Sequence, residues 1–182
     1  RDFCLSRGLG DVYKRQVYQD YKLFSFSLKD NIALALPVNE KKVRMTLKRV
    51  GLSDKLLTLP KGIDTMLFKN FAEDGFEPSG GEGQKIALAR ALYKDAPFMI
   101  LDEPTAAWDP RAEYEMYRNF NEIVKGKTAV YISHRMSSTK FCDKVAVFKK
   151  GELAEYGTHD ELMKKDGLYK ELFDIQAQYY NH

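Results

Sequence analysis

Cys4 and Cys142 are the only cysteines in the chain, too few for a disulfide framework or for a metal site built on paired cysteines. A reducing, cytosolic compartment is therefore expected. Long apolar runs are missing as well: "IALAL" (32–36) and "PFMIL" (97–101) are the longest, far short of the ~20 residues that a membrane-spanning helix needs. Any link to a membrane is expected to come through a partner. No block of one charge sign occurs, since 29 basic and 26 acidic residues are interspersed to a net +3, which argues against a nucleic-acid partner. The chain opens on Arg1, has no signal-peptide pattern, and is expected to be a piece of something longer. Internal repeats and low-complexity segments are absent too.

A phosphate-binding loop is the most telling omission. Gly126-Lys127-Thr128 has the ending of G-x-x-x-x-G-K-[ST], but five residues before Gly126 stands Asn121 where the motif needs glycine. The order of elements is also reversed. Such a loop joins a strand to a helix, so that backbone N–H groups and the helix dipole face the phosphates, whereas here a helix precedes the tripeptide and a strand follows it. The tripeptide reads as a helix-ending glycine and a turn.

What is present alternates between periods. Residues 1–16 show no clear strand or helix period and are set aside as a possible junction. A short strand is suggested by "QVYQD", ending at Gln19. Asn39 can cap a helix with Val43, Leu47 and Val50 at helical spacing, closed by Gly51. "EGQKIALARALYKD" predicts a helix ending before Pro97. "FMILD" (98–102) and "TAVYIS" (128–133) predict strands buried on both faces, with a helix over 111–124 between them. "KVAVFKKGELAEYG" predicts a hairpin turning at Lys150-Gly151. Thr158 and Glu161 have capping-box spacing for an amphipathic helix to about Tyr179. Strand-helix-strand order with short links means an α/β domain with a largely parallel sheet.

Ligands of such sheets bind beyond the carboxyl ends of the strands. There the sequence places Asp102 and Glu103 after one strand, His134 after another and Gln19 after the first. An acidic pair can be a solvated turn or a helix cap, but with a histidine and a glutamine it meets the needs of phosphoryl transfer to water: metal ligand, general base and a group sensing the terminal phosphate. "PSGGEGQKIALAR" (78–90) adds a helix start whose Ser79 and Glu82 form a capping box, and whose glycines expose N–H groups at the positive end of the dipole.

"VYQD", "PSGGEGQ", "FMILDEPTAAWDP" and "YISHRMSS", in this order, resemble the Q-loop, signature, Walker B, D-loop and switch histidine of ATP-binding cassette (ABC) ATPases, from about residue 17 to the end. "YKLFSFSLKDNIA" and "ELAEYGTHDEL" further resemble the exporter type. The resemblance implies a P-loop NTPase (RecA-like) parallel-sheet core with an inserted α-helical subdomain at about 27–95, truncated at the N-terminus. It implies ATP and Mg2+ as cofactors, a second ABC ATPase domain and a transmembrane domain as partners, and a place at the cytoplasmic face of the bacterial plasma membrane. Asp102 and Gln19 would hold the magnesium, Glu103 would be the general base, and Gln19 and His134 would contact the attacking water and the terminal phosphate. Ser79, Gly80, Gly81, Glu82 and Gln84 would bind the ATP of the opposite subunit, with Asp109 in the D-loop at the dimer interface.

The sequence departs from the family pattern at Pro78, at Glu82 and at Trp108, which is expected to pack at the interface. The lack of a phosphate loop implies that this polypeptide alone is inactive. Two competing readings remain open: a soluble ABC ATPase of DNA repair or translation, and a non-catalytic interaction module. Against the first, no sustained heptads lie between Asp20 and Pro78.

Overall fold

The computed structural model describes residues 14–17, 21–118, 120, 124 and 126–180. The chain forms two compact units, Arg1–Ile132 and Ser133–His182.

The sheet of the first unit is parallel, in the order β1 (Lys14–Val17), β2 (Phe98–Asp102), β3 (Thr128–Ile132). β2 is central, and its Met99 and Leu101 are fully buried. β1 starts earlier than expected: Lys14 and Arg15, which precede the expected strand, pair with Phe98 and Met99. Four residues are too few for a period to declare itself. β3 also corrects an expectation. It is not buried on both faces, because Thr128, Val130 and Ile132 are exposed, and an apolar run alone does not say whether a layer covers each face.

Among the described residues, four helices and a 3-10 turn lie between β1 and β2: α1 (Leu28–Ala33), α2 (Glu40–Arg49), α3 (Ser53–Thr58), the turn Gly62–Asp64, and α4 (Gly80–Lys94). α1 is capped by the Ser27 side chain, which accepts from the Asp30 N–H, and α2 by Asn39, which accepts from the Lys42 N–H. Gly51, at φ +70, follows the last turn of α2 in the left-handed conformation that glycine takes freely. α1 and α2 pack on α4 through fully buried Ile32, Val43, Leu47, Ile86 and Leu92, each contributing about 1.5–3 kcal/mol by burial. α4 also meets β1. A helix between two layers must be apolar around most of its surface, and Ala87, Leu88, Ala89 and Ala91 are buried as well.

α5 (Pro110–Arg118) follows β2; the expected continuation to Val124 falls mostly outside the described residues. Gly126 has φ +74, the Thr128 N–H donates to the Pro97 carbonyl, and the nearly buried Lys127 ammonium lies 2.8 Å from the Asp95 carboxylate at the end of α4. Asp95 is held below the ordinary carboxylate range chiefly by Lys127. The tripeptide is thus a structural turn.

The second unit holds a 3-10 helix (Met136–Phe141), a hairpin of β4 (Val145–Lys149) and β5 (Glu152–Gly157), then α6 (His159–Lys164) and α7 (Leu168–Tyr180), around a core of Val147, Leu162 and Tyr169. Lys150 and Gly151 both take positive φ, 53° and 83°, the geometry that matches the twist of a two-residue hairpin. The Thr158–Glu161 capping box forms. The expected single helix does not, since it breaks between α6 and α7 with Asp166 at φ 54. The cause is tertiary: the Glu155 carboxylate of β5 accepts the Tyr169 N–H at 2.7 Å and caps α7, and a Cβ on Gly167 would sit 1.8 Å from its Oε1.

Candidate functional site

Asp102 ends the central strand, half-buried and opposite Ile132. Glu103 leaves it through an abrupt change of direction. Its N–H still donates to the Ile132 carbonyl at 2.9 Å, but its φ is +45, a left-handed conformation that costs an L-residue about 1–2 kcal/mol. Two turns follow, closed by Ala106 N–H to Glu103 O (3.2 Å) and Trp108 N–H to Thr105 O (3.0 Å).

These turns are anchored underneath. The Thr105 hydroxyl, almost fully buried, donates to Glu113 Oε1 at 2.8 Å and lies 3.0 Å from the Tyr117 hydroxyl and 3.2 Å from that of Tyr131. The Tyr117 hydroxyl also donates to Glu113 Oε1 at 2.8 Å. Burial, then the neighbouring Tyr131, drives the Tyr117 phenol far above its ordinary value, so it stays a neutral donor. The loop after β2 is therefore tied to both α5 and β3 by a buried polar network, which rigidifies where every member is satisfied.

The predicted signature residues form the first turn of α4. Ser79 accepts from the Glu82 N–H at 3.3 Å while Glu82 Oε2 accepts from the Ser79 N–H at 2.8 Å, and Lys55 Nζ stands 3.0 Å from Glu82 Oε1. Partial burial raises the Glu82 pKa, but the Ser79 N–H and the Lys55 ammonium outweigh it and leave the carboxyl below its usual range. The turn is held from two sides. Tyr21 donates its hydroxyl proton to Gly80 O at 2.9 Å, and a Cβ on Gly83 would meet that hydroxyl at 2.3 Å. On the other side a Cβ on Gly81 would stand 3.1 Å from Ala107 O, and buried Gln84 accepts the Ala107 N–H at 2.9 Å. The signature turn and the loop leading to Asp109 thus form one packed assembly.

Asp109 is exposed and caps α5, accepting from the Ala112 and Arg111 N–H groups at 2.9 and 3.1 Å. The Ala112 bond is the main reason its carboxyl sits below the ordinary range. Trp108 corrects an expectation: its side chain is buried, with Lys85 Nζ 4.9 Å from the ring centroid, and does not stand out for an interface. His134 lies in the second unit, exposed, on the segment before the 3-10 helix. Gln19 lies outside the described residues.

Three positioning residues escaped the sequence reading. Buried Asn31 donates to the carbonyls of Phe24, Phe26 and Ser27 and accepts the Phe24 N–H, while Arg90 of α4 donates to Asn31 O at 2.7 Å and Lys22 O at 3.0 Å. Together they fix the chain between β1 and α1. An arginine inside "IALARAL" was the available signal. Thr105 carried none, since its partners are remote.

A profile of the ABC transporter family matches residues 12–106, just over half of the chain. The chain belongs to the ABC transporter family. Membership implies ATP binding and the P-loop NTPase fold. Two curated relatives of this ABC transporter chain are each named "ATP-dependent lipid A-core flippase". That of Paraburkholderia xenovorans (strain LB400) is 38% identical over 162 residues, covering 89% of this chain and 26% of the relative. That of Ralstonia nicotianae (strain ATCC BAA-1114 / GMI1000) is 38% identical over 164 residues, covering 88% and 27%. Among solved structures, "Structure of a bacterial Atm1-family ABC exporter with ATP bound" aligns with a TM-score of 0.81 at 34% identity, over 91% of this chain and 28% of that one. The ABC transporter chain spans about a quarter of the length of the curated relatives it matches.

Proposed function

We propose that this chain is part of the ATP-hydrolysing domain of an exporter, working at the cytoplasmic face of a membrane as one half of a head-to-tail pair and coupled to a transmembrane domain of the same longer protein. The observation that carries the reading is the carboxylate pair Asp102-Glu103 at the carboxyl end of the central parallel strand, in a family member. Among the described residues no helix is long and apolar enough to cross a membrane, so the transmembrane part is assigned to sequence beyond them. The flippase relatives and the exporter structure support the direction of transport.

The residues fit Mg-ATP in part. Asp102 is a hard oxygen donor of the kind magnesium takes alongside water and phosphates, and Ser79, Gly80 and Gly81 open a fifteen-residue helix whose first N–H groups favour an anion. Glu82 tempers that site, because its carboxylate already occupies the helix start. The phosphate loop that would hold most of the triphosphate is absent from the sequence. Bound magnesium would neutralise charge on the phosphate oxygens. Asp102 would hold that ion, with Gln19. Glu103 would take a proton from the attacking water as general base, His134 would hydrogen-bond the terminal phosphate, and Ser79, Gly80 and Gly81 would face the nucleotide of the opposing subunit, with Gln84, buried against Ala107, bracing that turn from behind and Asp109 at the interface.

The test is Glu103→Gln in the longer protein that carries this chain. Turnover is expected to fall by roughly 10²-fold or more, as when a general base is removed, while nucleotide-driven dimerisation persists. Steady-state phosphate release at the unsubstituted rate would take the role of base away from Glu103.

A further inference from the structure

His134 is exposed and lies between elements, so something has to hold its backbone if its imidazole is to meet a phosphate reproducibly. Within the second unit α7 does this. The side chain of Gln176 makes two hydrogen bonds to the switch segment: Nε2 donates to the His134 carbonyl at 2.6 Å, and Oε1 accepts the Met136 N–H at 2.8 Å. One amide thus spans the peptide units on both sides of Arg135. The orientation of the amide is fixed by its partners, because a flipped group would set its NH2 against an N–H and its oxygen against a carbonyl.

The contact belongs to a stripe along α7. Tyr169, Phe173 and Gln176 stand at i, i+4 and i+7, one face of a helix, and each meets the segment after His134. The hydroxyl of fully buried Tyr169 lies 2.6 Å from Thr139 Oγ1 and 2.7 Å from His159 Nδ1. Lys140 Nζ sits 5.0 Å from the Phe173 ring centroid. The segment is also braced from within, by Arg135 N–H to Ser133 Oγ (2.9 Å) and Ser138 Oγ to Arg135 O (2.7 Å). Only Gln176 reaches from α7 to the carbonyl of His134 itself among the bonds described.

We infer that Gln176 is a positioning residue: through its paired hydrogen bonds, α7 sets the backbone from which His134 presents its ring to the terminal phosphate. The inference rests on the proposed role of His134. Gln176 touches no substrate. Its loss leaves the imidazole in place but lets its backbone move, and misplacement of a contacting group by about 1 Å can cost roughly 10²-fold in rate.

The experiment uses the full-length protein that carries this chain, with Gln176→Ala, His134→Ala and the double variant. Gln176→Ala is expected to lower kcat for ATP hydrolysis roughly tenfold or more, with KM for Mg-ATP changed less than about twofold. In the His134→Ala background it is expected to add no further loss. Amide exchange supplies a readout independent of turnover: with its acceptor gone, the Met136 N–H should exchange faster, within a peptide spanning 134–141, while α4 keeps its protection. Gln176→Met, which keeps the length of the side chain, should give the same exchange and rate changes, and it carries the test if the alanine variant does not fold. Unchanged exchange over 134–141, or an equal further rate loss in the His134→Ala background, overturns the inference while the role of His134 stands. Full activity of His134→Ala instead removes that role, and the inference falls with it.

Discussion

Glu103 has the least ordinary backbone at the site, a glutamate held at φ +45 where the strand turns. Strain of this kind persists only where the surroundings over-determine it, and here the Ile132 carbonyl on one side and the Thr105–Glu113 bond on the other hold both ends of the turn. Both Glu103→Ala and Glu103→Gly remove the carboxylate, but only glycine takes this φ without a Cβ penalty. The glycine variant should therefore be the more stable of the two by about 1 kcal/mol, measured by denaturant unfolding; equal stabilities would mean that the turn relaxes at no cost. A second residue-scale prediction concerns Gly83. A Cβ there meets the Tyr21 hydroxyl at 2.3 Å and its ring at 3.0 Å, so Gly83→Ala should displace Tyr21, break its bond to Gly80 O and cost about 1–2 kcal/mol. Tyr21→Phe removes the nearest atom, so the double variant should lose less than the sum of the two single ones. Strict additivity in a double-mutant cycle would show that Tyr21 does not feel the new methyl group.

At the scale of elements, β4 and β5 are joined by Lys150-Gly151, with Lys150 at φ +53. Asparagine tolerates that conformation far better than lysine, so Lys150→Asn should raise stability by roughly 0.4–1 kcal/mol, read as an upward shift of the melting midpoint. The Lys127–Asp95 pair links the end of α4 to the start of β3. Asp95 is held below its ordinary range by Lys127, so the stabilisation is complete above the unfolded carboxylate value and is lost as pH falls through the lower folded one. Lys127→Met should flatten that acid limb of the stability profile. Elements announced by local signals were legible: the capping boxes of Ser79 and Thr158, the Asn39 cap, the β2 run and the hairpin turn all stand where the residues placed them. Features set by remote contacts were not. The exposure of Val130 and Ile132 depends on which layers cover β3, the α6–α7 break depends on Glu155 of another element, and the burial of Gln84, expected from the signature to meet a nucleotide, depends on Ala107 lying against it. The αL geometry of Glu103 had no signal at all, since glutamate is not a residue that φ above zero selects.

At the scale of the molecule, the arrangement joins a well-braced set of chemical side chains to a sequence without a phosphate-binding loop. Asp102, Glu103 and the signature turn are fixed by strand β2, the Thr105 network and the contacts of Tyr21 and Ala107, so their geometry does not wait for a nucleotide. Affinity is a different matter. Backbone N–H groups of a phosphate loop and its lysine make most of the contacts to a triphosphate in this fold, and Gly126-Lys127-Thr128 supplies none of them: Lys127 is engaged with Asp95 and Thr128 opens β3. On the proposed reading the signature turn would meet a nucleotide held by another subunit, and its own helix start already carries the Glu82 carboxylate. The 182-residue polypeptide should accordingly bind Mg-ATP no more tightly than about 1 mM, near −4 kcal/mol, in calorimetric titration. A longer form of the protein in which a phosphate loop precedes this chain should bind in the micromolar range. Micromolar binding by the polypeptide alone would mean that the carboxylate pair and the helix start suffice to hold the nucleotide, and that the loop serves orientation more than affinity.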